Sequence, residues 1–230
     1  MTPTATRDLE VPHQTVKPSF KSVSEVLTDD LRAMILSGEL AEGEPLPQRS
    51  VARRYGVSEV VVREALRVLE HEGMVATEPR KGARVSCLSA EEVREIWELR
   101  LPIERLLTEK AVPAARAEDL AQAEALNKAM TAARDPVAWL SLNREFHTRL
   151  YTPAQRPRIL RFADNLRMMM DRYLRLHLGV LQRFDVADRE HRDILTAYHE
   201  RDSHLACKYV EAHLLRTADS VVTFLAKRGK

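Results

Sequence analysis

Three histidines and one asparagine in the second half of the chain have the side chains that a divalent-metal site needs. Asn143 and His147 are four residues apart in the segment NREFH, so a helix places both on one face. His191 and His213 lie in two further segments, each at the edge of an apolar stripe. Three neutral imidazoles and an amide oxygen can bind zinc, nickel or manganese and leave positions for water or a ligand. No two of these histidines share a helix, so buried histidines with an ordinary hydrogen bond are an open alternative.

A second group of residues has the side chains that read DNA bases. The segment VSEVVVREALRVLEHEGMV, residues 57–75, has the apolar spacing of a helix that begins after a serine N-cap and ends at a glycine. Val60 or Val61 can contact a thymine methyl group, and Arg63 can bind a guanine or a phosphate. The alternative is that Arg63 and Arg67 form ordinary ion pairs with glutamates of the same helix.

The flanking segments complete a helix-turn-helix with a wing. Residues 49–54 predict a short helix, and the glycine of the turn YGVS allows the next helix to cross it steeply. Residues 74–86 alternate apolar and polar, which predicts a hairpin with its turn near Arg80 to Gly82. In this arrangement the second helix enters the major groove of DNA. Residues 46–86 contain eight basic and five acidic side chains, whereas the net charge of +2 for the whole chain favours no partner.

The remainder of the chain is predicted to be helical. Only 7 of 230 residues are glycine and 44% are apolar, which favours a mainly helical protein. Ser89 and Glu92 form a capping box, and the apolar periodicity beyond them predicts six helices. Their approximate bounds are 90–111, 117–133, 136–151, 156–181, 186–199 and 203–227. Pro102 falls inside the first and is expected to kink it or to remove one hydrogen bond.

We therefore expect a mainly α protein with three regions. The polar, proline-containing residues 1–18 predict a flexible arm. Residues 19–88 predict a winged helix-turn-helix DNA-binding domain, and residues 89–230 an all-helical domain for effector binding and dimerisation.

The composition also bounds where the protein works. No apolar run reaches the 18 residues of a candidate membrane span, and the first residues lack the apolar core of a signal peptide. Cys87 and Cys207 are far apart and form no CxxC pattern, which fits reduced thiols. We expect a cytoplasmic protein without a membrane partner.

The first half of the chain resembles a known family. The run LPQRSVARRYGVSEVVVREALRVLEHEGMVATEPRKGARV looks like the DNA-binding domain of the GntR family of bacterial transcription regulators, over roughly residues 22–86. The resemblance implies that Arg49 and Arg63 contact operator DNA and that Gly82, at the wing tip, approaches the minor groove. The family often has arginine where this chain has Glu59, which cannot bind guanine but can accept a hydrogen bond from cytosine. The predicted DNA-binding residues are Arg49, Ser58, Glu59, Val60, Val61, Arg63, Arg67, Arg80, Lys81 and Gly82.

The second half resembles the FCD ligand-binding domain of FadR-type GntR regulators. The resemblance covers about residues 90–226 and rests on the short motifs ELRLPIE, NREFH, DREH and EAHLL. It implies a divalent metal that helps to hold a small carboxylate effector. Many metal-binding members have aspartate where this chain has Asn143, so one negative charge is missing from the predicted site. The implied metal ligands are Asn143, His147, His191 and His213.

Arg100 of ELRLPIE matches the effector-facing arginine of that family. A guanidinium group can give a carboxylate two parallel hydrogen bonds. The alternative for Arg100 is a buried ion pair with Glu104 or Glu145.

The leading functional hypothesis is a homodimeric transcription regulator that responds to an organic acid. Two-fold dimers read palindromic DNA. The helix predicted over 156–181 offers apolar dimer contacts, although the same residues could form intramolecular core. The first alternative is a metal-dependent hydrolase, since three histidines and an open position are also a catalytic zinc arrangement. The second is a repressor that senses the metal alone.

Overall fold

The computed structural model describes residues 21–87, 89–133, 135–181 and 184–228, so the predicted arm over residues 1–18 lies outside it. The N-terminal part, here called the head, contains three helices and a two-stranded antiparallel sheet. The helices are α1 (Val23–Ser37), α2 (Gln48–Tyr55) and α3 (Glu59–His71), and the strands are β1 (Val75–Glu78) and β2 (Gly82–Val85).

Local sequence signals set the ends of the head helices. Ser22 and Glu25 form a capping box at the start of α1, where orphan backbone N–H groups need acceptors. Ser58 caps α3 by accepting a hydrogen bond from the Val61 backbone. Gly56 ends α2 at φ 66°, a left-handed conformation that side chains with a Cβ disfavour. The tight turn between α2 and α3 therefore depends on this glycine.

The wing is the hairpin of β1 and β2. Its register pairs Val75 with Val85 and Glu78 with Gly82. Residues 79–81 form the turn, so Gly82, which was predicted within the turn, is instead the first residue of β2.

Within the described residues, six α-helices follow the head, as the periodicity predicted, and form what we call the bundle. They are α4 (Ala90–Ala111), α5 (Ala117–Ala132), α6 (Pro136–Tyr151), α7 (Pro157–Leu181), α8 (Phe184–His199) and α9 (Ser203–Arg228). The predicted capping box of Ser89 and Glu92 starts α4, and α4 continues through the exposed Pro102 to Ala111. The mainly α fold class is thus confirmed.

The head and the bundle have separate apolar cores, and α7 contacts both. Met168 of α7 packs against the core of the head, and Met169 lies against Gly73 at the end of α3. Leu166 and Leu174 are buried in the core of the bundle. The apolar residues of α7 that the sequence offered as dimer contacts therefore form intramolecular packing.

Candidate functional site

The three predicted histidines converge from three helices inside the bundle. α6 contributes His147, α8 contributes His191 and α9 contributes His213. One ring nitrogen of each lies within 4.8 Å of the corresponding nitrogens of the other two. All three side chains are buried, and His191 is fully inaccessible. Chain segments far apart in sequence thus assemble a compact group of nitrogen donors.

Several polar atoms around this cluster have no hydrogen-bond partner. They are Oδ1 of Asn143, Nδ1 of His147 and both ring nitrogens of His191. Buried polar atoms normally have a partner, because leaving one unpaired costs about 1–3 kcal/mol. The cluster therefore has the inward-facing lone pairs that a cation would occupy.

His147 and His191 are held in the neutral form that metal binding requires. Burial lowers the pKa of His147 well below its usual range, and neighbouring cations, first Arg167, lower it further. Burial likewise lowers the pKa of His191, with His213 as a second cause. Neutral imidazole is the ligand form, so neither ring has to lose a proton at neutral pH.

Glu190 orients the third histidine. His213 Nδ1 donates a hydrogen bond to Glu190 Oε2 at 2.6 Å, which leaves Nε2 as the ligating nitrogen. The other oxygen of Glu190 is 2.5 Å from Arg216 Nε. A carboxylate that accepts the second ring proton is the usual outer partner of a metal-bound histidine. The same pairing occupies Glu190, which with Asp188 is one of two acidic residues near His191 in sequence that a hydrolase could use as a general base.

Arg100 lies beside the histidine cluster and is paired with Glu104. Its Nε donates to Glu104 Oε1 at 2.8 Å, so the ion pair that was the alternative role for Arg100 is present. Arg100 Nη1 is buried without a hydrogen-bond partner. The ion pair thus uses only part of the guanidinium group, and the Nη1 donor remains available to a ligand.

Arg167 of α7 is a second buried guanidinium group on the same carboxylate. Its Nη2 donates to Glu104 Oε2 at 2.9 Å, and Tyr151 donates to that oxygen at 2.8 Å. Burial alone would raise the pKa of Glu104, but Arg100, Arg167 and the hydrogen bonds outweigh it and hold the pKa at about 2. Arg167 Nη1 also pairs with Asp164 Oδ1 at 3.0 Å, so the two guanidinium groups are shared between two carboxylates.

One cavity of about 170 Å³ is lined by both guanidinium groups and by two of the three histidines, and we call it the histidine cavity. Arg100, Asn143, His147, Arg167 and His213 line its polar side. Trp139, Leu174 and Leu214 provide apolar walls. A small anion with a short carbon skeleton would meet guanidinium donors at one end and the metal-ligand set at the other.

The ligand set fits a divalent cation. Three imidazoles and the orphaned amide oxygen of Asn143 give a mixed nitrogen and oxygen donor set of the type that zinc, nickel and manganese accept. The histidine cavity adds an open side on which further ligands can bind.

The predicted DNA-contacting residues lie on the outside of the head. Val60 is 67% exposed, whereas Val61 packs partly against the core of the head, so Val60 is the valine free to meet a base. Arg63 is exposed, and its Nε is 3.4 Å from the side-chain oxygen of Gln48. Arg49, Ser58, Glu59 and Arg67 are exposed as well. The first turns of α2 and α3 thus present one polar surface.

The wing presents the remaining predicted contacts. Arg80, Lys81 and Gly82 are exposed at its tip. Lys81 forms an ion pair of 2.6 Å with Glu78, which neutralises part of its charge. Arg80 is therefore the less constrained cation at this edge, and it stands in a left-handed turn at φ 69°.

Sequence analysis missed Arg167 and did not assign Glu190 an orienting role. Arg167 stands among other arginines and methionines of α7, and nothing in its local pattern distinguishes it. Glu190 precedes His191 in DREH, and this adjacency gave a hint, but its partner is His213 on another helix.

Comparison with known proteins agrees with both halves of the chain. The profile of the FCD domain matches residues 95–216, and that of bacterial regulatory proteins of the gntR family matches residues 23–85. The uncharacterized HTH-type transcriptional regulator YdhC of Bacillus subtilis is 28% identical over 189 residues, 80% of this chain and 84% of that protein. BphR of Paraburkholderia xenovorans, also an uncharacterized HTH-type transcriptional regulator, is 30% identical over 167 residues, 69% and 68% of the two chains.

A solved structure shows the same arrangement. The crystal structure of a GntR family transcriptional regulator from Pseudomonas syringae pv. tomato superposes with a TM-score of 0.58 at 28% identity, covering 90% of this chain and 87% of its own. Within the part of the chain that is described, no helix is both long and apolar enough to cross a membrane. The matching proteins are transcription regulators and not enzymes, which removes the hydrolase alternative. The chain therefore belongs to the GntR family of bacterial transcription regulators, with an FCD domain after its helix-turn-helix head.

Proposed function

We propose that this regulator binds operator DNA as a homodimer and that a small carboxylate, held beside a divalent metal in the histidine cavity, changes that binding. The observation that carries the proposal is the shared cavity. Asn143 and His147, each with a polar atom that lacks a partner among the described residues, and Arg100 and Arg167, each with a spare N–H donor, line one space of about 170 Å³.

The guanidinium groups give the cavity its preference for an anion. Arg100 Nη1 and Arg167 Nε are buried without hydrogen-bond partners. A carboxylate oxygen supplies the missing acceptor, and charge-assisted hydrogen bonds are roughly twice as strong as neutral ones. A bound divalent cation at Asn143, His147, His191 and His213 would supply a further positive charge and an open position for a second oxygen. An acid with two oxygen-bearing ends satisfies both sides.

The ligand set favours zinc, with nickel and manganese as alternatives. Three imidazoles suit zinc and nickel, whereas the hard amide oxygen of Asn143 is acceptable to manganese. Because Asn143 is neutral where an aspartate would be charged, we expect the site to bind its ion less tightly than an aspartate site does.

α7 connects the cavity to the head. Arg167 and Leu174 line the histidine cavity, while Met168 and Met169, on the same helix, pack against the head. A carboxylate that draws Arg167 toward itself therefore acts on the helix against which α3 ends. This contact is the route by which occupancy of the cavity changes the orientation of the DNA-reading surface.

Dimer formation requires an apolar surface that the intramolecular cores leave exposed. Leu99 and Leu106 of α4 are seven residues apart on one helical face and are 50% and 37% exposed. Phe162 of α7 is 49% exposed. We assign the homodimer contacts to this exposed set in place of the buried apolar residues of α7.

Native mass spectrometry of the purified protein, with a denatured control, tests the proposal first. We expect a dimer that carries one divalent ion per chain, and the ion is lost in His147→Ala but retained in His199→Ala, an exposed histidine of α8. A metal-free dimer would contradict the metal part of the proposal while leaving the DNA-binding part standing.

Operator titrations separate the acid response from the metal response. If metal-loaded and metal-stripped protein differ in operator affinity without any added acid, the metal-sensing alternative is favoured. If only an added carboxylate changes the operator affinity, and Arg100→Lys shifts the carboxylate concentration needed for that change, the organic-acid hypothesis is supported. An unaltered dose response in Arg100→Lys would contradict its role as a carboxylate clamp.

A further inference from the structure

A second cavity lies where the head meets the bundle. It has a volume of about 400 Å³ and is lined by α1 on one side and by α6 and α7 on the other. We call it the junction cavity. Asn143 lines the histidine cavity and its neighbour Arg144 lines the junction cavity, so the two spaces are adjacent but have different walls.

We infer that the junction cavity is a second small-molecule site, and that its ligand carries a protonated amine which pairs with Asp171. Asp171 is only 2% exposed and lines the cavity from α7. Neither of its carboxylate oxygens has a hydrogen-bond partner among the described residues. Among the side chains that the structure describes, Arg144 forms the ion pair with Asp171; its Nη2 is 3.7 Å from Asp171 Oδ2, which is too long for a hydrogen bond. A buried carboxylate without donors is costly, and a ligand with several N–H donors satisfies it.

The distribution of charge in the lining favours a cation next to Asp171. Three carboxylates and two guanidinium groups line the junction cavity, and Arg54, which lies outside the lining, pairs with one of the carboxylates. The lining groups are Asp30, Glu39, Asp171, Arg144 and Arg175. Asp30 accepts a hydrogen bond from Tyr55, and Glu39 is at the exposed rim, 3.7 Å from Arg54. Asp171 is therefore the acid whose charge is least compensated.

The remaining walls accommodate a carbon skeleton. Leu36 of α1 and Val137 and Leu140 of α6 give apolar surface next to the charged groups. Arg175 lies against Gly38, and its Nε is buried without a partner. A volume of about 400 Å³ falls in the range of small-ligand pockets, roughly 300–1,000 Å³. An amine that also carries a carboxylate could bind the unpaired Nε of Arg175 as well. Amino acids and simple amines are therefore both candidate ligands, because both carry the protonated amine that pairs with Asp171.

The inference stands apart from the proposed function, because it involves neither the histidines nor Arg100. A ligand here would touch α1 of the head and α6 and α7 of the bundle at once. Its binding would therefore fix the head against the bundle, and occupancy of the site can be measured without DNA.

Isothermal titration calorimetry of the full chain tests the site with three probes. Phenethylamine carries the protonated amine, phenethyl alcohol is its neutral isostere, and L-phenylalanine adds a carboxylate. Two variants attack the cavity: Asp171→Asn removes the charge with little change of shape, and Ser141→Phe fills the space from an exposed lining position. Asp193→Asn, at an exposed position of α8, is the matched charge control.

We expect saturable binding of phenethylamine, of L-phenylalanine or of both, and none of the alcohol. Asp171→Asn should weaken binding at least about tenfold, since a hydrogen bond to a charged group contributes roughly that much. Ser141→Phe should abolish binding, and Asp193→Asn should leave it unchanged. Tighter binding of L-phenylalanine identifies amino acids as the ligand class, and tighter binding of phenethylamine identifies simple amines.

Three results overturn the inference. They are equal binding of the alcohol, binding that survives both cavity variants, and absence of binding by both amines in wild-type protein. Ser141→Phe keeps the test decisive if Asp171→Asn alters the fold, because residue 141 is exposed and a larger side chain there leaves the core untouched.

Discussion

Replacement of Asp171 by asparagine should stabilise the folded protein at neutral pH. Burial raises the pKa of Asp171 from 3.8 to about 6, and the attraction of Arg144, Arg167 and Arg100 only partly offsets this. The folded state therefore carries an ionised carboxylate at pH 7 that water would solvate better. Asparagine has nearly the same shape and no charge, so it removes this cost.

The magnitude follows from the two pKa values. Because the folded pKa is the higher one, Asp171 contributes stability that is fully present below about pH 4 and is lost as the pH rises through about 6. Above that range the loss amounts to roughly 3 kcal/mol, at about 1.4 kcal/mol for each pH unit between the two pKa values. The free energy of unfolding of Asp171→Asn, minus that of wild type, should rise by this amount between pH 4 and pH 7.

Urea denaturation of both proteins at a fixed protein concentration, in chelator, measures this difference at each pH. Constant effects of the substitution, such as unmet amide hydrogen bonds, cancel from the pH dependence. Dimer dissociation and metal loss also cancel if both proteins share them. If the difference in unfolding free energy stays constant or falls from pH 4 to pH 7, burial does not destabilise the ionised form of Asp171, and the reasoning is refuted.

Further predictions concern the metal site, the DNA surface and the dimer. Glu190→Gln should lower the affinity for the divalent metal about 10–100-fold, because a neutral amide holds His213 less firmly, and competition with a chromogenic chelator measures this. Arg63→Ala should weaken operator binding by roughly 1–3 kcal/mol if Arg63 reads a base, and unchanged affinity in fluorescence anisotropy would contradict that role. Glu59→Gln should strengthen binding to DNA of unrelated sequence, since it removes a charge that repels phosphate, and the same titration detects the change. Leu99→Glu with Leu106→Glu should shift sedimentation velocity from dimer to monomer, whereas a dimer that persists would place the interface elsewhere.

The sequence was most informative where the determinants are local. Ser58 and Ser89 cap the helices that they were expected to cap, because an N-cap bonds to backbone two or three residues away. The six bundle helices begin and end close to the predicted residues for the same reason. The hairpin was also predicted, although its turn ends one residue earlier than expected, since pairing places Gly82 opposite Glu78.

The site itself required the tertiary structure. The types of Asn143, His147, His191 and His213 indicated a metal, but only the packing of α6, α8 and α9 places the three imidazoles within ligand distance. Sequence left two roles open for Arg100, and the structure shows that it pairs with Glu104 while keeping a free donor.

The sequence by itself determined that this chain has a DNA-reading head of GntR type and a helical bundle of FCD type, because periodicity, caps and the motif around VREAL are contiguous. Only the tertiary structure decided which charges meet. Arg167 and Asp171 are four residues apart on α7. No local sequence pattern predicts that Arg167 lines the histidine cavity and Asp171 the junction cavity. The electrostatic environment of each is set by side chains from other helices, up to 63 residues away in the case of Arg167 and Glu104, and such contacts leave no periodic trace in the sequence.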